Sequence, residues 1–294
     1  MMKDEFLNYL RYERNRSELT VSRYGRSLTD FEAYFKNKDS QLSWESVDSD
    51  IIRDWMESLM DKGDMASTVN NCLSAVRSFF RFALSRGLVE KDPSHAVKGP
   101  KKVKPLPQFL REEEMDRLLD IPQMWEEGYS GLRARTIILL FYETGIRLAE
   151  LVGLNDTDVD FVNHQLKVTG KRNKQRIIPF GAELEQALRE YMRQRDSQPL
   201  RLETGLLLND KGLRMTRSQV SRVVKDSLGK ATTMRKRSPH VLRHTFATAM
   251  LNNGAGLQEV QKLLGHESVA TTEIYTHTTF EQLKRVYENA HPRA

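Results

Sequence analysis

The second half of the chain contains the sequence LRARTIILLFYETGIRLAELVGL, residues 132–154. The stretch from Leu132 to Glu143 is mostly apolar, which is typical of a helix that packs inside a core. Gly145 interrupts this helix, because glycine is a poor helix former. A short helix from Ile146 to Leu154 then continues. The stretch therefore predicts a core helix and a short second helix that meet at Gly145.

Three short alternating segments follow these helices and predict a small antiparallel sheet. The predicted strands are 159–161, 165–169 and 175–179, separated by the turn sequences 163–164 and 170–173. Helices are then expected over 182–195, 216–228, 239–252 and 257–264, and from 270 to the C-terminus. The second half is therefore predicted to be mainly helical with one small sheet.

Helical periodicity also dominates the first hundred residues. Thr20 is predicted to cap one helix and Asp50 a second. A third helix begins at Ser67 and ends at Gly87, which is suited to a helix C-terminus. With an opening helix from Asp4 to Tyr12, these segments predict a four-helix unit.

A proline- and lysine-rich stretch separates the two halves. Residues 92–107, DPSHAVKGPKKVKPLP, hold four prolines and four lysines, and proline blocks helix formation. We therefore predict an N-terminal helical domain over 1–98, a linker over 99–107 and a second domain over 108–294. The linker is either a plain spacer or a basic segment that lies along a phosphate backbone.

Composition excludes several classes of protein. The 294 residues are 39% hydrophobic and 29% charged, as in a globular protein with a sizeable core. No apolar run approaches the roughly 18 residues of a membrane span, and the first residues lack an apolar signal core. We therefore expect a cytoplasmic protein with no membrane association. Cys72 is the single cysteine, which excludes an intrachain disulfide and a cysteine-based zinc site.

Positive charge is concentrated in two segments. The net charge is +6, but residues 167–176 hold five basic residues and no acid, and residues 211–243 hold ten against one. These segments either cluster on surface loops by chance or form a surface that neutralises phosphates.

The residue types left for chemistry are arginine, lysine, histidine and a late tyrosine. His240 and Arg243 share a helix face and can hold one anion together, or else His240 caps the helix and Arg243 makes an ion pair. His240 and His244 lack the glutamate of a zinc helix, so no metal is expected. No P-loop and no nucleophile elbow occurs in the sequence, and no cofactor is expected.

Five motifs then occur in order along the second half. They are TGIRLAEL (144–151), GKRNK (170–174), HVLRH (240–244), LGH (264–266) and IYTH (274–277). In type, order and spacing they resemble the motifs of the tyrosine recombinases, the phage-integrase family. The resemblance covers nearly the whole chain. The compact length and the ending HPRA (291–294) are most similar to the Xer branch, which resolves chromosome dimers.

The resemblance implies a catalytic role for six residues: Arg147, Lys171, His240, Arg243, His266 and Tyr275. The two arginines would clamp the non-bridging oxygens of the scissile phosphate. Lys171 would protonate the departing 5′ oxygen, His240 would assist proton transfer, and His266 would hydrogen-bond the phosphate. Tyr275 would attack the phosphorus and form a 3′-phosphotyrosine without any cofactor.

Three further polar residues near these motifs are expected to serve the fold. Glu150 would pair locally, and His244 and His277 would have structural roles.

The resemblance also implies the partners. A SAM-like N-terminal DNA-binding domain and a catalytic domain would clamp duplex DNA, and four protomers would exchange strands through a Holliday junction. The tetramer would contain this chain, a second related recombinase, or both, and a septal DNA translocase would activate it. The expected role is chromosome partition at a dif-like site during cell division. The alternatives are an integrase or transposase of a mobile element, a type IB topoisomerase, and a non-catalytic DNA-binding protein with this fold.

The segment after Tyr275 predicts an amphipathic helix. Phe280, Leu283, Val286 and Tyr287 form one apolar stripe. This stripe either folds back onto its own domain or, as the resemblance implies, docks on a neighbouring protomer.

Overall fold

The computed structural model describes residues 2–101, 108–170, 173–265 and 280–294. The chain forms two compact units, Met1–Pro105 and Leu106–Ala294. Both units are mainly helical, and the described strands form one small antiparallel sheet in the second unit. The predicted fold class is therefore confirmed. In the described part of the chain, no helix is long and apolar enough to cross a membrane.

The first unit is a helical bundle with an aromatic core. Its helices are α1 (Met2–Asn8, continued by a π-helical turn at Tyr9–Glu13), α2 (Glu18–Lys38), α3 (Ser49–Asp61) and α4 (Ala66–Ser85). Phe31 and Phe79 are fully buried, and the Trp44 ring packs against both, with centroids 5.8 and 4.4 Å away. Rings of this size supply much of the apolar area that a small bundle buries.

Two of the predicted helix caps are wrong. Ser17, not Thr20, caps α2, and its hydroxyl accepts a hydrogen bond from the Thr20 backbone amide. Asp48, not Asp50, caps α3, because its carboxylate accepts from the amides of Asp50 and Ile51 at 2.9 Å each. In both cases a second capping residue type lies earlier in the chain, at the position where the extended backbone turns into the helix.

The second unit is built around one buried helix. Its helices are α5 (Glu112–Asp120), α6 (Tyr129–Thr144), α7 (Leu148–Gly153), α8 (Ala182–Asp196), α9 (Arg217–Ala231), α10 (Pro239–Asn252), α11 (Leu257–Leu264) and α12 (Phe280–Ala290). Residues 136–144 of α6 are all buried, as the apolar stretch predicts. Helices α8, α9 and α10 pack around α6. The core helix therefore supports the elements that carry the predicted site.

The sheet has the order β1-β2-β3, with β1 at Val159–Asp160, β2 at Gln165–Thr169 and β3 at Gln175–Pro179. Each neighbouring pair is antiparallel, and Val168 of β2 lies opposite Arg176 of β3. Paired residues share a face of the sheet, and Val168 is fully buried. Arg176 therefore belongs to the face of β3 that is turned toward the core.

The last helix packs on its own unit. Tyr287 and Ala290 of α12 are buried, and α12 contacts α10, α11 and β3. The predicted amphipathic helix is confirmed from Phe280 onward, and within this single chain its stripe folds back onto its own domain. Residues 270–279, where the predicted helix begins, lie outside the described residues.

Candidate active site

A tight turn between α6 and α7 sets the position of Arg147. Gly145 has a left-handed backbone, with φ +56°. A methyl group added to it would lie 2.5 Å from the Phe246 ring and 2.7 Å from the Leu264 side chain. Only glycine meets both demands, the backbone conformation and the close approach. Arg147 follows two residues later, at the N-terminus of α7.

Glu150 anchors Arg147 from one turn further along α7. Its carboxylate accepts from the Arg147 backbone amide at 2.9 Å and from Nη1 at 2.8 Å. Nη2 of Arg147 donates to the Gly265 carbonyl oxygen at 2.7 Å. The guanidinium is therefore fixed at two of its nitrogens, although 41% of the side chain is exposed. The expected local pairing of Glu150 is confirmed.

Arg243 approaches the same place from α10. The residue is buried, and its terminal nitrogens donate to the carbonyl oxygens of Gly145 at 2.6 Å and Leu264 at 2.8 Å. Burial lowers the pKa of Arg243 to about 10, and the nearby charges of Arg147 and Arg176 act in the same direction. A phosphate would relieve this crowding of cations, because it supplies the missing negative charge.

Arg147, His240 and Arg243 line one surface cavity of about 470 Å³. Three of the six predicted catalytic residues are therefore brought together from two helices. Arg217, at the start of α9, and His244 line the same cavity. The other three predicted residues, Lys171, His266 and Tyr275, lie outside the described residues.

The closed end of the β2–β3 hairpin lies against this site. The amide of Gly170 donates to the Lys174 carbonyl oxygen at 2.7 Å and closes the hairpin. A methyl group added to Gly170 would lie 3.2 Å from Oε1 of Glu150. Gly170, which directly follows β2, is therefore adjacent to the carboxylate that holds Arg147.

Arg176 is the main site residue that the sequence analysis did not single out. Its Nη1 and Nη2 donate to the two oxygens of Glu150, at 2.9 Å each. Burial alone would raise the pKa of Glu150, but the hydrogen bonds and charge of Arg176, followed by the backbone and side-chain hydrogen bonds of Arg147, lower it to about 2. Glu150 is therefore ionised at any physiological pH. In the sequence, Arg176 is one of the five basic residues within residues 167–176, and no local pattern distinguishes it from the other four.

His244 was expected to be structural, yet it also lines the cavity. Burial lowers the pKa of His244, and the neighbouring His240 and Arg243 add to this effect. No group of three or more histidine, cysteine, aspartate or glutamate side chains in the described ranges is placed to hold a metal ion. The polar side chains that line the cavity are guanidinium groups and imidazoles, a set that suits an anion.

Family models match both units. The model of the phage integrase family matches residues 108–282, and that of the phage integrase N-terminal SAM-like domain matches residues 4–87. The chain is 35% identical to tyrosine recombinase XerD of Oceanobacillus iheyensis, over 99% of this chain and 98% of that protein. It is 37% identical to tyrosine recombinase XerC of Chlorobaculum tepidum, over 99% of this chain and 94% of that protein.

A solved structure has the same fold. The XerH site-specific recombinase, bound to a palindromic difH substrate in a post-cleavage complex, superposes with a TM-score of 0.73 at 24% identity. The match covers 96% of this chain and 83% of that one. Together, the two family models and the relatives matched over nearly their full length show that the chain belongs to the phage integrase family and is a site-specific DNA recombinase of the Xer tyrosine-recombinase type.

Proposed function

We propose that this recombinase cuts and rejoins duplex DNA at a dif-like chromosomal site and thereby resolves chromosome dimers in the cytoplasm before cell division. The observation that carries the proposal is the cavity in which Arg147, His240 and Arg243 meet. Two guanidinium groups beside one imidazole can bind the non-bridging oxygens of a phosphodiester and stabilise the charge of a pentavalent transition state.

The proposed reaction needs no cofactor. The Tyr275 phenolic oxygen attacks the scissile phosphorus, and the bond from phosphorus to the 5′ oxygen breaks. Lys171 gives a proton to that oxygen, which leaves as a 5′-hydroxyl. His240 assists transfer of the proton that the Tyr275 phenol loses, and His266 hydrogen-bonds the phosphate. The product is a 3′-phosphotyrosine. Attack by the 5′-hydroxyl of the partner strand reverses these steps and frees Tyr275.

The proposed assembly follows the organisation of the chain. Residues 1–98 would form the helical core-DNA-binding domain, 99–107 the linker and 108–294 the catalytic domain. Four protomers, of this chain, a second related recombinase or both, would exchange strands through a Holliday junction, with a septal DNA translocase as activator. Similarity to the XerC and XerD relatives over nearly the full chain supports this assembly.

Covalent capture tests the function even though the target sequence is unspecified. The protein is incubated with sheared chromosomal DNA of its source organism, stopped with SDS, and the protein-linked fragments are sequenced. We expect one recurring sequence from the wild type and none from Tyr275→Phe, which lacks only the nucleophilic oxygen. An adduct with Tyr275→Phe would show that another residue attacks. Recurrence at the ends of a mobile element would favour the integrase alternative.

A further inference from the structure

The carboxyl end of α11 is held by three arginines from three different elements. Nε of Arg176 donates to the Leu263 carbonyl oxygen at 2.8 Å. Arg243 and Arg147 donate to the next two carbonyl oxygens, those of Leu264 and Gly265. The last carbonyls of a helix have no partner within the helix and carry its negative end. Each of these three consecutive carbonyls is therefore satisfied by a different guanidinium group.

Arg176 differs from the other two arginines. Arg147 and Arg243 line the cavity, whereas Arg176 is not among the lining residues, and only 16% of its side chain is exposed. Its Nη1 and Nη2 bind Glu150, and its Nε binds Leu263, so one planar group joins α7 to α11. Because it sits on β3, it also ties both helices to the hairpin.

The packing around Arg176 leaves little freedom. Gly265 has a left-handed backbone, with φ +64°, and a methyl group there would lie 3.1 Å from Cδ and Nη1 of Arg176. Hydrogen bonds therefore hold the Arg176 guanidinium in its plane, and the Gly265 backbone packs beside it. Displacing the Arg176 guanidinium would free Glu150, which orients Arg147. It would also free the carboxyl end of α11, to which Arg243 and Arg147 both donate hydrogen bonds.

We propose that Arg176 is a positioning residue for strand cleavage: through Glu150 and the carboxyl end of α11 it sets the two guanidinium groups that bind the scissile phosphate. The inference rests on the proposed function, since it requires Arg147 and Arg243 to act on that phosphate. Misplacing catalytic groups by about 1 Å costs about 100-fold in rate. A loss of that size is the effect expected when Arg176 is removed.

The fold offers a matched control in Arg195. This arginine is also buried, binds both oxygens of a carboxylate, that of Asp156, at 2.7 and 2.8 Å, and donates to the backbone carbonyl of Leu206. None of these partners lines the cavity. Arg195→Met should therefore reproduce the structural cost of losing such an arginine without disturbing the site.

The test measures the single-turnover rate constant of covalent adduct formation at saturating protein. The substrate is the duplex that covalent capture identifies. A rate constant, unlike an adduct yield, does not depend on the fraction of protein that is folded. For Arg176→Met we expect a loss of about 100-fold, with duplex affinity in a gel-shift titration changed by less than about threefold. Arg195→Met should lower the melting temperature and leave the rate constant within about threefold.

Two further variants separate positioning from other roles. In an Arg147→Ala background, Arg176→Met should cost less than about fivefold, because groups that act as a unit are strongly non-additive. Arg176→Lys keeps the charge but not the planar fork, and we expect it to remain at least about tenfold slow. Equal losses in both backgrounds, full activity of Arg176→Lys, or an equal loss with Arg195→Met would each overturn the proposal. A wild type that forms no adduct overturns the proposed function itself, and is distinct from these outcomes.

Discussion

Two buried glutamates lie on either side of Gly145 and are held in opposite ways. Glu150, on α7, lies among the arginines of the cavity, and its pKa is lowered to about 2. Glu143, at the end of α6, is fully buried and accepts hydrogen bonds from the Gly181 amide at 2.9 Å and the Tyr287 hydroxyl at 3.2 Å. Burial raises the pKa of Glu143 to about 8, because the charged form loses its water.

Partners from distant elements therefore decide whether a buried carboxyl is ionised or neutral. Glu150 is an anion that binds Arg147 and Arg176 at the candidate active site. Glu143 is largely neutral and joins α6 to α12, where the Tyr287 and His291 rings stack with centroids 5.2 Å apart. The first cluster lies beside the candidate active site, and the second anchors the last helix.

The largest effect should come from removing a cation beside Glu150. Arg147→Ala should slow adduct formation about 1000-fold, because it removes charge stabilisation of the transition state. Lys171→Ala should also be slow, but a substrate with a 5′-bridging phosphorothiolate should restore its cleavage, since the sulfur leaves without a proton. The measurement is adduct formation on normal and phosphorothiolate duplexes. Equal rescue of both variants would contradict the separate roles of Arg147 and Lys171.

Replacing each glutamate by glutamine should change the free energy of unfolding unequally. Glu150→Gln leaves Arg147 and Arg176 without their shared anion and should lower the free energy of unfolding by about 3 kcal/mol. Glu143→Gln keeps a neutral, hydrogen-bonding side chain of the same size and should change it by less than about 1 kcal/mol at pH 6.5. Urea unfolding measures both. Similar losses of stability in the two variants would contradict the inference that Glu150 is ionised and Glu143 is neutral.

The pH dependence of stability sharpens the same contrast. A carboxyl whose pKa is raised in the folded state binds more protons than when unfolded, so its contribution is lost as the pH rises toward 8. Burial lowers the pKa of His291 to about 4. This histidine therefore makes stability rise with pH, opposite to Glu143, but only below about pH 6.5. Between pH 6.5 and 8, stability should therefore fall by up to about 1.4 kcal/mol per pH unit through Glu143.

The matched measurement is urea unfolding of wild type and Glu143→Gln across that range. The wild-type slope should exceed that of the variant, because the amide does not titrate. The contribution of Glu150 has the other sign and window: its lowered pKa means that stability is lost only as the pH falls below about 4.5 toward 2. Parallel slopes of wild type and Glu143→Gln above pH 6.5 would show that Glu143 is already ionised.

The smallest effect concerns Gly265, which packs against Arg176. Gly265→Ala should cost about 1 kcal/mol of stability, because its backbone is left-handed. Gly254→Ala is the control, since Gly254 also has a positive φ, +89°, but has open space where a methyl group would go. Both variants should be similarly destabilised in urea, and only Gly265→Ala should slow adduct formation, about tenfold. Equal rates would indicate that the contact with Arg176 does not matter.

Much of this fold follows from local pattern. The bounds of α10 and α11 and of the second and third strands match their predicted ranges, because periodicity and flanking turn residues coincide there. The predicted caps at Thr20 and Asp50 are wrong because Ser17 and Asp48, equally good capping types, lie two or three residues earlier. Choosing between such neighbours requires the path of the backbone, which the sequence does not contain.

The site is less predictable from sequence. Arg147, His240 and Arg243 are predicted from motifs, and the structure brings them to one cavity. Arg176 and Glu143 are missed because their roles depend on residues far away in the chain: Arg176 meets Leu263 across 87 positions, and Glu143 meets Tyr287 across 144. A basic residue in a basic strand and a glutamate at a helix end are each ordinary locally. Only tertiary contact distinguishes them.

The three arginines that bind the carboxyl end of α11 use acceptors that do not depend on side-chain identity. The acceptors that Arg147, Arg176 and Arg243 use at residues 263–265 are backbone oxygens, which every amino acid possesses. Side chains at Leu263 and Leu264 can therefore be exchanged, within the limits of the core, while the acceptor atoms remain. Substitution of Leu263 or Leu264 leaves these backbone oxygens in the chain, whereas substitution of an arginine removes a donor outright. A redesign of this part of the molecule can therefore vary Leu263 and Leu264 but should keep Gly265 and the three arginines.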